Sequence, residues 1–367
     1  MSNYQKKMAI NDLRVLAPEF VKHMKGLEKG TIAFIILCAH VCTGIILLSN
    51  FAKAQTVTSD SSITPKGGAP AKQKVSKVYM TRNINPNGLA AIYKALGCKF
   101  PGKVAVKIST GEPGGHYFLS PDLIKDLVQS VNGTIVECNT AYPGQRTKTD
   151  MHKQVAIDHG YTAIAPVDIM DEEGSISLPF EKGTHIKEDL VGSHFANYNS
   201  FLVLSHFKGH AMGGFGGALK NISIGIASSS GKMWIHTAGA TKDTGNFSLA
   251  MNAPHDAFLE SMAEAAGAVM NRLGDNIVYI NVMNNLSVDC DCDSHPAPPE
   301  MGNIGILGSL DPVALDKACV DLVYAYDKKQ SAALRERIES RNGTHTLDHA
   351  EALGLGSQKY ELVTIDK

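Results

Sequence analysis

The sequence predicts an α/β protein built on a mainly parallel sheet with helices on both faces. Three observations predict it: apolar runs of strand length rich in Val, Ile and aromatic residues, capped helical patterns between them, and loops dense in glycine or titratable residues directly after them. The chain has 367 residues, 44% of them hydrophobic and 19% charged, which suffices for a buried core in one unit or two lobes. No repeat of fixed period occurs, which excludes a solenoid.

The first element is an export signal. Thr31 to Phe51 is apolar throughout, follows Lys22, Lys25 and Lys29, and precedes Ala52-x-Ala54, a small-residue cleavage pattern. Residues 1–54 therefore read as a signal peptide that leaves Gln55 as the mature N-terminus, placing the protein in the periplasm or outside the cell. Met24 would open a more ordinary signal. The alternative is a membrane anchor through residues 31–51, because that run is just long enough to span a bilayer. Residues 55–74 are rich in Ser, Thr, Pro, Gly and Lys without an apolar period, and read as a flexible tether.

The folded domain is expected over residues 75–367. Strands are read at Val75–Met80, Lys103–Thr110, Gly133–Asn139, Ser200–Phe207, Asn276–Asn284 and Ile304–Gly308, each short and rich in β-formers. One helix starts at Ser120 as N-cap with Pro121 in its first position, another spans His255–Leu273, and a third is capped by Asp311 with Pro312 following. In that last helix Leu315, Cys319, Leu322 and Tyr326 recur on one face, so Cys319 reads as core.

Two segments carry the chemistry. The first, "DCDCDSH" from Asp289 to His295, precedes a strand and a capped helix. Cysteines one residue apart on extended chain point the same way, so Cys290 and Cys292 can converge on one ion, with Asp289, Asp291, Asp293 or His295 supplying further ligands. Two thiolates and an imidazole suit iron or zinc, although the spacing lacks the second cysteine pair of a familiar zinc site. A strained local disulfide, or two inert thiols, are the alternatives. The second segment is "SHFKGHAMGGFGGALKN", Ser205 to Asn221. His206, Lys208 and His210 read as acid/base and charge-stabilising groups, while Gly213, Gly214, Gly216 and Gly217, with Lys220 and Asn221, read as a flexible loop that cradles a cofactor or anion. Neither a Walker loop nor a dinucleotide fingerprint is present. Both segments leave strand ends, so they are expected to meet. Glu112 and His116 lie in a loop that can wall a pocket at the carboxyl ends of the strands, and Arg146 and Lys148 in one that can meet an anionic substrate, but most residues of both loops read as solvated connections.

Together, "HFKGHAMGGFGGALKN" and "CDCDSHPAPPEMGNIGILGSLDPVALDKACVDLVY" resemble the DUF362 family, whose members are often labelled iron–sulfur centre proteins of unknown function. The likeness runs over roughly residues 75–366. Members with true clusters usually add a ferredoxin-type module that this chain lacks. Beyond residue 54 it has only Cys98, Cys138, Cys290, Cys292 and Cys319, so a four-cysteine iron–sulfur cluster would draw ligands from separate places. A single divalent ion is the better expectation.

Charge narrows the partners. Residues 1–54 carry seven basic and three acidic side chains, so the remainder holds 28 basic against 33 acidic, a net charge of −5. No basic field remains for nucleic acid, and the membrane is a partner only through an uncleaved signal. The sequence thus points to an exported metal- and ligand-binding protein, acting as a metal-assisted or redox enzyme on a small anionic substrate, with a redox partner if it transfers electrons. A non-catalytic binding protein is the alternative.

Overall fold

The computed structural model describes residues 75–366, so the signal peptide and the tether expected from the sequence lie outside the described residues. The central sheet has eight strands: β1 (Ser76–Thr81), β2 (Val104–Lys107), β3 (Thr134–Glu137), β4 (Val167–Ile169), β7 (Ser200–His206), β10 (Ile277–Met283), β11 (Gly305–Ser309) and β12 (Tyr360–Thr364), in the order β12-β1-β11-β10-β7-β2-β3-β4. Every pairing is parallel except those of β11, which runs against both β10 and β1. Two small antiparallel pairs accompany the sheet: β5 (Ser175–Pro179) with β6 (Glu188–Gly192), and β8 (Lys208–His210) with β9 (Gly214–Gly216).

The alternation of side chains along the strands builds two cores, one on each face. Val104, Val106, Leu202, Leu204, Val278 and Ile280 face α1 (Pro86–Leu96) and α2 (Pro121–Ser130). Ala105, Phe201, Val203 and Tyr279 share the opposite core with residues of α4 (Ala218–Ile222), α6 (His255–Leu273) and α7 (Pro312–Ala325). The remaining helices are α3 (Thr149–Asp158), α5 (Ser229–His236), α8 (Ala332–Ser340) and α9 (His345–Ala352). The caps follow the sequence: Ser120 Oγ accepts from Asp122 N at 3.2 Å and Asp311 Oδ1 from Ala314 N at 3.0 Å. Cys319 is fully buried on α7. Among the described residues no helix is long and apolar enough to cross a membrane.

The glycine segment is ordered chain rather than the expected flexible loop. It forms the β8–β9 hairpin and packs on α8. Its glycines serve close approach: a Cβ on Gly209 would lie 2.1 Å from Val288 O, and Gly214 combines φ +77° with a Cβ position 2.8 Å from Gly343 Cα.

Candidate functional site

The strand order places a crevice. From β2 the chain steps outward through β3 and β4, while from β7 it steps the other way through β10, so the loops after β2 and β7 diverge at the carboxyl edge. A cleft of about 250 Å³ opens there. Lys107 and Glu137 stand at the ends of β2 and β3, and Ser205 and His206 at the end of β7; the glycine hairpin, α5 and the cysteine loop complete the walls.

The cysteine loop lies across the hairpin. Gly209 N donates to Ser287 O at 2.8 Å, Glu112 N to Asp291 O at 2.8 Å, and Arg337 Nη1 to Val288 O at 2.9 Å. Alternate side chains then take opposite directions. Asp291 turns inward, where Oδ1 accepts from His206 Nδ1 at 2.8 Å and Oδ2 sits 2.7 Å from Lys208 Nζ. Cys290 and Cys292 face the cleft as free thiols, and with His210 they place three potential ligand atoms within 4.8 Å of one another.

The charges around these sulfurs are unevenly balanced. A hydrogen bond with Cys292, helped by Lys220 and Lys208 against the cost of burial, pushes Cys290 down to about 5, while the same bond and burial hold the Cys292 proton in place. The pair therefore sheds one proton readily and keeps the other. Burial, reinforced by Lys220, pushes His210 well below the ordinary imidazole range. Burial also opposes the charge of Lys208, but Asp291 and the sulfurs outweigh it and raise its affinity for the proton.

On the opposite wall, Glu137 binds Lys107 Nζ at 2.9 Å and Arg146 Nη1 at 3.5 Å, and accepts from Thr110 N at 2.7 Å. Burial favours its neutral form, yet the two cations win and hold its carboxyl at about 2. Arg146 Nε also binds Glu112 at 2.8 Å, an oxygen shared with Tyr142 at 2.9 Å. His236 closes the cleft between Phe258, 5.0 Å away in a stack, and Phe247 at 6.0 Å. Its Nδ1 donates to Lys232 O at 2.6 Å, so Nε2 carries the free lone pair, and burial lowers its proton affinity to about 4.

The structure brings together some of the residues singled out from sequence and separates others. His206, Lys208, His210, Cys290 and Cys292 meet in one wall. Gly216, Gly217, Lys220 and Asn221 line the cleft, whereas Gly213 and Gly214 sit at the hairpin turn outside it. Asp293 and His295 are exposed and stay out of the ligand cluster, because Asp293 Oδ1 accepts from His295 N at 2.8 Å and closes a local turn. His210 takes the position expected of His295. His206 spends Nδ1 on Asp291 and Nε2 on Asn284 O at 2.7 Å. Glu112 and Arg146 are buried rather than solvated, while His116 and Lys148 are exposed. Sequence reasoning missed Lys107, Glu137, Lys232 and His236. The one signal available was Lys232 and His236 four residues apart on a short capped helix, which places both on one face.

No curated protein matches the chain. Among solved structures, it is similar to the lactate racemase apoprotein from Thermoanaerobacterium thermosaccharolyticum, with 14% identity and a TM-score of 0.40 over 68% of this chain and 57% of that one. A crystal structure of a Thermotoga maritima protein is similar at 12% identity and a TM-score of 0.37, over 70% of this chain and 58% of that one. The chain thus spans less than two thirds of either. The family described as a domain of unknown function, DUF362, matches residues 104–321, which include the glycine hairpin, the cleft walls and the cysteine loop, and the protein belongs to that family.

Proposed function

We propose that the protein is an exported enzyme that holds one divalent ion, iron or zinc, at Cys290, Cys292 and His210 and acts on a small anionic substrate. The observation that carries this reading is the placement of three ligand atoms within 4.8 Å of one another on the wall of a cleft lined by Lys107, Arg146, Lys208, Lys220 and Lys232. Two sulfurs and an imidazole fit a thiophilic ion. No fourth His, Cys, Asp or Glu joins them among the described residues, so an ion held by these three would keep a position for water or substrate, as in catalytic rather than closed structural sites. When bound, such an ion supplies Lewis acidity or a redox centre. Lys208 and Lys220 stabilise negative charge beside it. His236 Nε2 is the proton acceptor the cleft offers, since both nitrogens of His206 are engaged. Export rests on the apolar segment Thr31–Phe51 and the Ala52-x-Ala54 that follows it.

One observation favours a second reading, a dithiol–disulfide pair without metal. His210 Nδ1 accepts from Gly213 N at 2.9 Å and Met212 N at 3.3 Å, so the neutral ring carries its proton on Nε2. Coordination through Nε2 requires that proton to move and those contacts to be given up. Metal analysis of protein purified from its native compartment decides between the readings. The metal reading expects near-stoichiometric ion in wild type, a clear loss in Cys290→Ser, Cys292→Ser and His210→Ala, and no loss in Cys319→Ser. Metal-free protein whose two thiols react with alkylating agent only after reduction supports the disulfide pair; metal-free protein with both thiols freely alkylated sinks both.

A further inference from the structure

The chain between α5 and α6 contributes Phe247 to the cleft yet is only lightly fastened to the rest of the molecule. From Lys242 to Ala253, Ala250 is buried, Phe247 and Ala253 are half-buried, and every other residue is exposed. At its root Asp243 N donates to Thr241 Oγ1 at 3.1 Å. Beyond that turn, one hydrogen bond leaves the segment among the described residues, from Lys242 Nζ to Glu188 Oε1 on β6 at 2.7 Å. The others close local turns, such as Gly245 N to Asp243 Oδ1 at 2.8 Å and Ser248 N to Asn246 Oδ1 at 3.2 Å.

Three side chains hold the segment in place. The Lys242 ammonium lies 4.7 Å from the centre of the Trp234 ring, in addition to its bond with Glu188. Ala250 and Phe247 pack with Ala141 and Met233. The Phe247 ring also meets Tyr142 edge-on at 5.9 Å and His236 at 6.0 Å. Tyr142 connects this contact with the sulfurs: burial favours its protonated form, and Cys292 and Cys290 stand near enough to reinforce that against Arg146. The ends of the segment differ from its middle. Ala238 at φ +49° and Gly239 at φ +81° follow α5, and Pro254 precedes α6. A residue with a side chain is held in the left-handed region only at a cost, and such positions gather where a chain must turn or switch.

We infer that residues 240–253 are a hinged cover, shut in this structure, that swings about Ala238–Gly239 and Pro254 to admit the ligand, with Phe247 as its plug and Lys242 as its latch. The inference rests on the proposed reading in taking the cleft as the substrate site, and it holds with or without an ion at the sulfurs. An exposed ion pair and one cation–π contact bind weakly enough to release. The apolar plug, once seated, keeps water from the cations and thiols of the cleft.

Thiol modification of the full chain, chelator-treated and reduced, tests this. Rates at each cysteine are read by peptide mapping with small methyl methanethiosulfonate and with bulky fluorescein maleimide. In wild type the ratio of bulky to small rates is expected to be lower at Cys290 and Cys292 than at half-buried Cys98. Lys242→Gln changes no residue that lines the cleft, and is expected to speed the bulky reagent at both thiols about three-fold or more. Phe247→Ala is expected to speed it too, while fully buried Cys319 stays unreactive throughout. Faster reaction at Cys319 marks general loosening and overturns the cover. So does a wild-type ratio equal to that of Cys98, or a bulky rate that Lys242→Gln leaves unchanged. An effect of Phe247→Ala alone makes the ring a fixed wall and overturns it as well. Metal content, measured on untreated protein, fails separately. A metal-free chain that Lys242→Gln opens loses the metal reading alone, and a metal-binding chain whose thiols ignore Lys242 loses the cover alone.

Discussion

Asp291 shows how much a site can depend on a residue that touches nothing reactive. Its side chain is 1% exposed and holds His206 and Lys208 behind the loop, which directs its neighbours Cys290 and Cys292 into the cleft. Asp291→Asn leaves the buried Lys208 ammonium without its counter-charge and weakens the contact to His206 Nδ1, and is expected to cost about 3 kcal/mol, read as a lower denaturation midpoint, together with a drop in any metal bound. An unchanged midpoint would show that the loop is held by its backbone contacts. The sulfurs give a second prediction at this scale. In metal-free protein the pair should release its first proton near pH 5, seen as thiolate absorbance rising through that value, and no thiolate signal below pH 8 would remove the argued influence of Cys292 and Lys220. The cysteines were legible in the sequence because two of them sit in one short acidic run. Lys107 and Glu137 were not, because a single charged residue at the end of an apolar run looks like a solvated strand end until the neighbouring strands are known.

At the scale of elements, glycine chemistry was the harder part to read. Apolar runs and caps gave strands within a few residues of those observed, and α6 begins and ends where its pattern does. The glycines suggested a mobile loop, since composition cannot tell freedom from close packing. Gly217 illustrates the packing case. It precedes α4, whose first amides, Ala218 N and Leu219 N, donate to the carboxylate of Asp316 on α7 at 2.7 and 2.9 Å, while Asn281 on β10 donates to the same group at 2.7 Å. A Cβ at position 217 would lie 2.3 Å from Asp316 Oδ1. Gly217→Ala is therefore expected to destabilise the fold by about 1–3 kcal/mol, detectable as a lower melting temperature. A melting temperature equal to wild type would mean that this junction yields freely.

For the whole molecule, buried carboxylates set the acid limit. Glu137 and Glu264 are held at about 2 in the fold, below their unfolded range near 4.3. Depressed carboxyls stabilise the fold above the unfolded value, and that contribution is lost as pH falls from about 4.5 toward 2. Asp316 works in the opposite sense: burial raises it to about 6, so its contribution is present at low pH and lost as pH rises through that value. The melting temperature should accordingly fall steeply below pH 4.5, and Glu264→Gln should flatten that limb; an acid limb equally steep in the variant would assign it to other groups. The antiparallel return of β11 has a different kind of consequence. Residues 284–304 leave the sheet at the end of β10 and re-enter it beside the same edge, with no crossover helix between. The segment bearing the sulfurs is thus a cassette: it can be exchanged for another of different donor atoms, by recombination or by a designer, without rethreading the parallel scaffold, so that the donor set facing the cleft is free to diverge faster than the fold that carries it.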